Sequence, residues 1–306
     1  MATTIPVEPY GDNLTPLVTQ HSAPTINTIT FADLKDSLRL GWDDFKAVPS
    51  HAIMLAIIYP VLGLAAARIV MGYSVLPLLF PIAAGFALVG PFAALGLYEL
   101  SRRREIGLDA NAWDATEVLR SPSFGAMLGL GAALMAIFVV WIFVAQAIYT
   151  SSFGHEPASE IPNFVHRVLT TPEGWQLILV GCGTGFLFAV AALCISVVSF
   201  PMMLDRHANV GDAVMTSLRA VARNPVSMAT WGVIVAALLI VGSIPLFLGL
   251  AVVIPLLGHS TWHLYRKMVE RNPNPPPIPP ANTTHRSAAD FPVSLFVGRK
   301  SAYDSK

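Results

Sequence analysis

The sequence predicts an all-α membrane protein of six spanning helices, arranged as three repeats of a cytoplasmic amphipathic helix followed by a transmembrane hairpin. Three observations carry that prediction. The 306 residues are 54% hydrophobic and only 12% charged, whereas a soluble chain is about 45–50% apolar and about 25% charged. Several apolar runs reach the ~20 residues that a helix needs to cross ~30 Å of hydrocarbon. Finally, seventeen of the nineteen Lys and Arg residues fall in four clusters that alternate with pairs of apolar runs.

Taken in order, residues 1–29 are polar, with scattered Pro, Gly and Thr and no period, and are expected to form a disordered tail. The tail has neither a basic n-region nor an apolar h-region, so no cleaved signal peptide is expected. Insertion then falls to the first span. The six-helix membrane domain is expected over 30–271. It opens with Phe31, Leu34, Leu38, Trp42 and Phe45 at helical spacing among charged residues, capped by Thr30 and ended by Pro49. This amphipathic helix is expected on the membrane surface.

Spans are expected at about 52–71, 76–100, 124–149, 175–200, 228–244 and 246–264. Pro60, Pro77, Pro81 and Pro91 should kink the first two. Ser101-Arg102-Arg103-Arg104-Glu105 marks the exit to a charged face, followed by a second amphipathic piece around Trp113, Val118 and Leu119. Between the third and fourth spans, Phe164, Val165, Val168 and Leu169 form a short apolar segment, and Thr171-Pro172-Glu173 reads as a helix start. In the third amphipathic helix Val214, Met215, Leu218, Val221 and Ala222 share a face, while Arg219 and Arg223 point away. Residues 272–306 open with NPNPPPIPPANTT and are expected to be a Pro-rich disordered tail.

Two seven-residue segments, PSHAIML from Pro49 and PSFGAML from Pro122, agree at four of seven positions, and PVSMATW from Pro225 repeats the pattern. The clusters of Lys and Arg all lie on one side of the resulting topology, with Arg167 and Arg68 left over. By the positive-inside rule both termini and the three amphipathic helices are expected in the cytoplasm.

Candidate chemistry is sparse. His259 and His263 share one face of the last span near its charged end, with His51 and His207 expected at the same level. Such a pair can face a haem or hold a metal. No carboxylate lies between them as in a metalloprotease helix, and Trp262 and Tyr265 beside them suit an interfacial aromatic belt. They are the weak candidates for cofactor binding; no metal ligand set, no cofactor and no catalytic residue is expected.

Gly181-Cys182-Gly183-Thr184-Gly185 sits inside an apolar run, where a phosphate-cradling loop does not belong. Gly181 and Gly185, Gly125 and Gly129, and Gly232 and Ala236 are expected to permit close helix packing. Cys182 and Cys194 are twelve positions apart on one helix, too far for a disulfide. The spans hold no ionisable residue near the midplane, which argues against a proton-driven pump.

SFPMMLDR, TSLRAVARNP and LFLGLAVVIPLLGHSTWHLYR, between Ser199 and Arg266, closely resemble the bacterial integral-membrane family known as domain of unknown function 2189. WDDFKAVPS and GLYELSRRRE extend the resemblance over about 31–271. It implies a six-helix inner-membrane protein and carries no activity or site residue with it.

The function expected from these readings is a non-catalytic accessory, assembly or structural component of a membrane complex, not an enzyme. Its partners would be the lipid bilayer and another membrane protein complex, with no nucleic acid, since the net charge is zero. The alternatives are a small-solute or lipid-related transporter and, third, a haem- or metal-binding membrane protein.

Overall fold

The computed structural model describes residues 24–48, 81–82, 90–92, 94–155, 161–245, 248–273 and 275. The first expected span and most of the second lie outside the described residues, as do His51 and the greater part of both tails.

Helix α1, Phe31–Ala47, starts on a capping box: Thr30 Oγ1 accepts from the Asp33 N–H at 3.4 Å, and Asp33 Oδ2 accepts from the Thr30 N–H at 2.8 Å. Such a cap contributes roughly 1 kcal/mol. The end of the second expected span is α2, Leu95–Glu105. The amphipathic piece after it is a 3-10 helix, Ala112–Arg120, capped by Asn111. Then follow α3, Phe124–Phe153, and α4, Ile161–Thr170, the short apolar segment. Helix α5, Pro172–Ser196, is capped by Thr171, whose Oγ1 accepts from the Gly174 N–H at 3.1 Å. A two-residue turn joins it to α6, Ser199–Arg206. Helices α7, Val210–Arg223, α8, Pro225–Ser243, and α9, Leu250–Met268, complete the described helices.

Among the described residues three helical runs are long and apolar enough to cross a membrane: Phe124–Phe153, Pro172–Arg206 and Pro225–Ser243. The sixth expected span is not one of them. Helix α9 is apolar only in its first half; from His259 onward it turns polar and its side chains are buried under α1 and α2.

Order begins ahead of Thr30, inside the segment expected to be disordered. Ile26 forms an antiparallel bridge with Val269, and the Asn27 N–H donates to the Met268 carbonyl at 2.8 Å. Asn224, the residue before Pro225, clips the same segment: its Oδ1 accepts from the Ile29 N–H at 2.8 Å and its Nδ2 donates to the Asn27 carbonyl at 3.0 Å. Buried backbone groups need such partners, and the sequence places them almost two hundred residues away.

Helix α1 lies antiparallel along α9. It buries Leu34, Ser37, Gly41 and Asp44, while Phe31 and Trp42 of the apolar stripe stay exposed. A Cβ on Gly41 would lie 2.1 Å from Ser260 Oγ, and one on Gly258 would lie 2.5 Å from Leu97 Cδ1. Small residues therefore decide which face packs. The same holds for α7, which buries Ala213, Thr216, Ser217 and Ala220 and leaves Met215 and Leu218 exposed, against the expected face.

In the spans, a Cβ on Gly185 would lie 3.1 Å from the Trp141 ring and one on Gly232 would lie 3.6 Å from Leu193, as close packing implies. Gly125, Gly129 and Gly181 meet no described neighbour within 4 Å. Trp231, Trp262, Tyr98, Tyr265, Phe200 and Met203 form the centre of the core.

Candidate functional site

His259 and His263 come together with a residue that sequence reading passed over, Asp44 of α1. One helical turn separates the two histidines on α9, and the glycine contact at Gly41 brings α1 close enough for a short carboxylate to reach both. Asp44 Oδ2 accepts from Ser101 Oγ at 2.6 Å and lies 2.8 Å from His263 Nε2, while Oδ1 accepts from Arg104 Nε at 2.8 Å. Ser101 Oγ lies 2.8 Å from His259 Nδ1. An ionised carboxylate only accepts, so the single Ser101 proton goes to Asp44. The pattern then assigns the proton of His259 to Nδ1, donating to Ser101, and that of His263 to Nε2.

This is not a nucleophilic triad. The His259 nitrogen that faces Ser101 is a donor and cannot take its proton, and Ser101 is fully buried. Burial alone would raise the Asp44 carboxyl, but hydrogen bonds from His263, Ser101 and Arg104 outweigh it and hold the group below the ordinary carboxylate value. Among the described residues no group of three His, Cys, Asp or Glu is arranged to hold a metal. His207 is not in this cluster: it ends α6 in the left-handed conformation, with φ of 51°. There burial, together with Arg102, pushes its imidazole below the ordinary value against the pull of Asp205.

A second carboxylate, Glu105, completes the charged end of α2. It accepts from Trp262 Nε1 at 3.1 Å, Arg266 Nε at 3.1 Å and Arg271 Nη2 at 2.7 Å. Arg266 also donates through Nη1 to Asp205 Oδ2 at 3.1 Å, where the Tyr265 hydroxyl donates at 2.7 Å. Arg102 Nη1 donates to the Leu204 carbonyl at 3.1 Å. The ends of α2, α6 and α9 are thus tied at one level. Behind them Glu99 pairs with Arg102 at 2.7 Å and Arg103 at 2.8 Å, with Arg103 fully buried, its Nη1 3.8 Å from Asp114 Oδ1, and its Nη1 and Nη2 without a hydrogen-bond partner among the described residues.

The segment holding this charged end and the two spans that follow it is the part that matches a known family. Residues 79–205 match the family described as predicted integral membrane protein (DUF2189). The match contains GLYELSRRRE, one of the stretches that carries the resemblance, and stops before α9 with its two histidines. No curated protein and no solved structure matches the chain. That description agrees with the three apolar runs and names no activity.

The sequence signal that could have found Asp44 is its position. With Leu34, Ser37 and Gly41 it falls at the spacing i, i+3, i+7, i+10, which puts a carboxylate on the face of α1 that packs.

Proposed function

We propose that the chain is a six-span, non-catalytic accessory or assembly component of a bacterial inner-membrane complex, with both termini and the charged end in the cytoplasm. The observation that carries this reading is the way its ionisable groups are used. Asp44, Glu105 and Asp205 fasten helices α1, α2, α6 and α9 to one another, and the Ser101 and His259 pair serves the same cross-tie. Apolar side chains point the other way: Phe31 and Trp42 on α1, Trp113 and Leu119 on the 3-10 helix, and Met215 and Leu218 on α7 are exposed. Each is on a segment that leads into an apolar run, the pattern of the three proposed repeats. Such a surface suits contact with interfacial lipid or with another membrane protein.

The test is a mild-detergent pull-down of the tagged chain from its own membrane, followed by mass spectrometry. A stoichiometric membrane partner is expected. A chain recovered alone would overturn the reading in favour of the small-solute or lipid-related transporter, to be followed by flux assays in vesicles.

A further inference from the structure

The charged ends of α1, α2 and α9 enclose a cleft of about 380 Å³. We propose that this cleft binds a phosphate ester through Arg104 and Arg271, independently of the role proposed above. Three guanidinium groups, Arg104, Arg266 and Arg271, line it against the carboxylates of Asp44 and Glu105. Both carboxylates are saturated: Asp44 serves Ser101, His263 and Arg104, and Glu105 serves Trp262, Arg266 and Arg271. Asp43, also on the wall, is held by Arg39 at 3.4 Å and Lys46 at 3.0 Å.

The cations are not saturated. Arg104 uses Nε alone toward Asp44, and Arg271 uses Nη2 alone toward Glu105. Their remaining N–H groups have no protein acceptor among the described residues. A guanidinium presents its donors as a planar fork that matches two oxygens of one phosphate, so two forks opening on one cleft suit the non-bridging oxygens of an anionic phosphate ester. Arg266 is fixed between Glu105, Asp205 and the face of Trp262, 5.8 Å from the ring, and adds field without moving. Leu40 gives the cleft an apolar wall for the ester's carbon portion.

The ester could be carried by an anionic lipid headgroup, since basic pockets between helices at the membrane surface take such groups, or by a small soluble molecule. The experiment uses the full chain in detergent, with native mass spectrometry and titration against phosphatidylglycerol, phosphatidylcholine and soluble glycerol 3-phosphate. Arg271→Gln is the informative variant: the side chain is 73% exposed and makes one ion pair, so the fold does not depend on it. Arg120→Gln, on the 3-10 helix and 74% exposed, removes the same charge away from the cleft.

The expected result is one phosphatidylglycerol retained per chain, with affinity reduced about tenfold or more by Arg271→Gln and unchanged by Arg120→Gln. Competition by glycerol 3-phosphate at comparable affinity would support the site and assign it to soluble esters; its failure to compete would assign the site to lipid. Equal losses in the two variants, or no preference for either net-anionic ester over zwitterionic phosphatidylcholine, would overturn the proposal.

Discussion

A methyl group at position 41 would sit 2.1 Å from Ser260 Oγ, 2.7 Å from its amide nitrogen and 2.9 Å from its Cα. Two of those atoms are backbone, so no rotamer change relieves the clash. Gly41→Ala should therefore destabilise the fold by about 1–3 kcal/mol, the usual cost of overpacking, and lower the thermal midpoint in detergent. Adding Ser260→Ala should not restore it; full rescue would show that only the hydroxyl stood in the way. Asp44 gives a prediction with a sign. Its carboxyl titrates below the ordinary value of 3.8 in the folded state, so its stabilisation is complete above that value and disappears as pH falls through the lower, folded one. Asp44→Asn should destabilise the protein by roughly 3–5 kcal/mol at neutral pH, as removal of one member of a buried pair does. That difference should narrow once pH drops below about 4. A gap that stays constant across acid pH would remove Asp44 as an ionised anchor. The spacing of His259 and His263 made their shared face legible in the sequence. What they face was not legible, because Asp44 and Ser101 are 219 and 158 residues away from His263 and His259, respectively, and no local pattern encodes that meeting.

At the scale of elements, the helix starts were the most legible feature because they depend on neighbours in the chain. Thr30, Thr171 and the prolines at 172 and 225 mark them as capping chemistry requires. Which face a helix buries was less legible. Hydrophobic periodicity favoured Phe31 and Trp42 on α1 and Met215 and Leu218 on α7, yet close approach selected Gly41 and Ser37, Ala213 and Ala220. In a membrane protein an apolar side chain can face lipid at no cost, so apolarity alone does not point inward. The clip made by Asn224 belongs to this scale as well. Asn224→Ala would leave the buried Ile29 N–H without its acceptor, a loss of about 1–3 kcal/mol. Hydrogen exchange should then accelerate about tenfold or more at Asn27 and Ile29 while the amides in the middle of α8 keep their protection. Unchanged exchange at residue 29 would show that Asn224 does not hold the segment in place.

For the whole molecule, the same contacts fix a level. Asn27 bonds both to Asn224 at the start of α8 and to Met268 at the end of α9, so α8 and α9 form a hairpin whose turn lies at the far end. Each has 19 residues, about 28 Å of helix at 1.5 Å per residue, the length that a return crossing by α9 would need under the proposed six-span reading. Its polar half packs under α1 and α2, as a sixth crossing would require. Helix α3 leaves from the Arg120 end and the Pro172–Arg206 run returns to Leu204 and Asp205, beside Arg102. The six-span reading then requires Lys46, Arg120, Arg219 and Arg271 on one side, and His155 and Ile244 on the other. Single cysteines at these positions, in a chain with Cys182 and Cys194 replaced by alanine, test it directly. In intact cells a membrane-impermeant maleimide should label only His155→Cys and Ile244→Cys, and opening the membrane should expose the other four. Labelling of Arg271→Cys from outside would place the end of α9 on the wrong side. It would reduce the crossings to an odd number and separate Arg271 from Glu105, against the 2.7 Å pair that joins them.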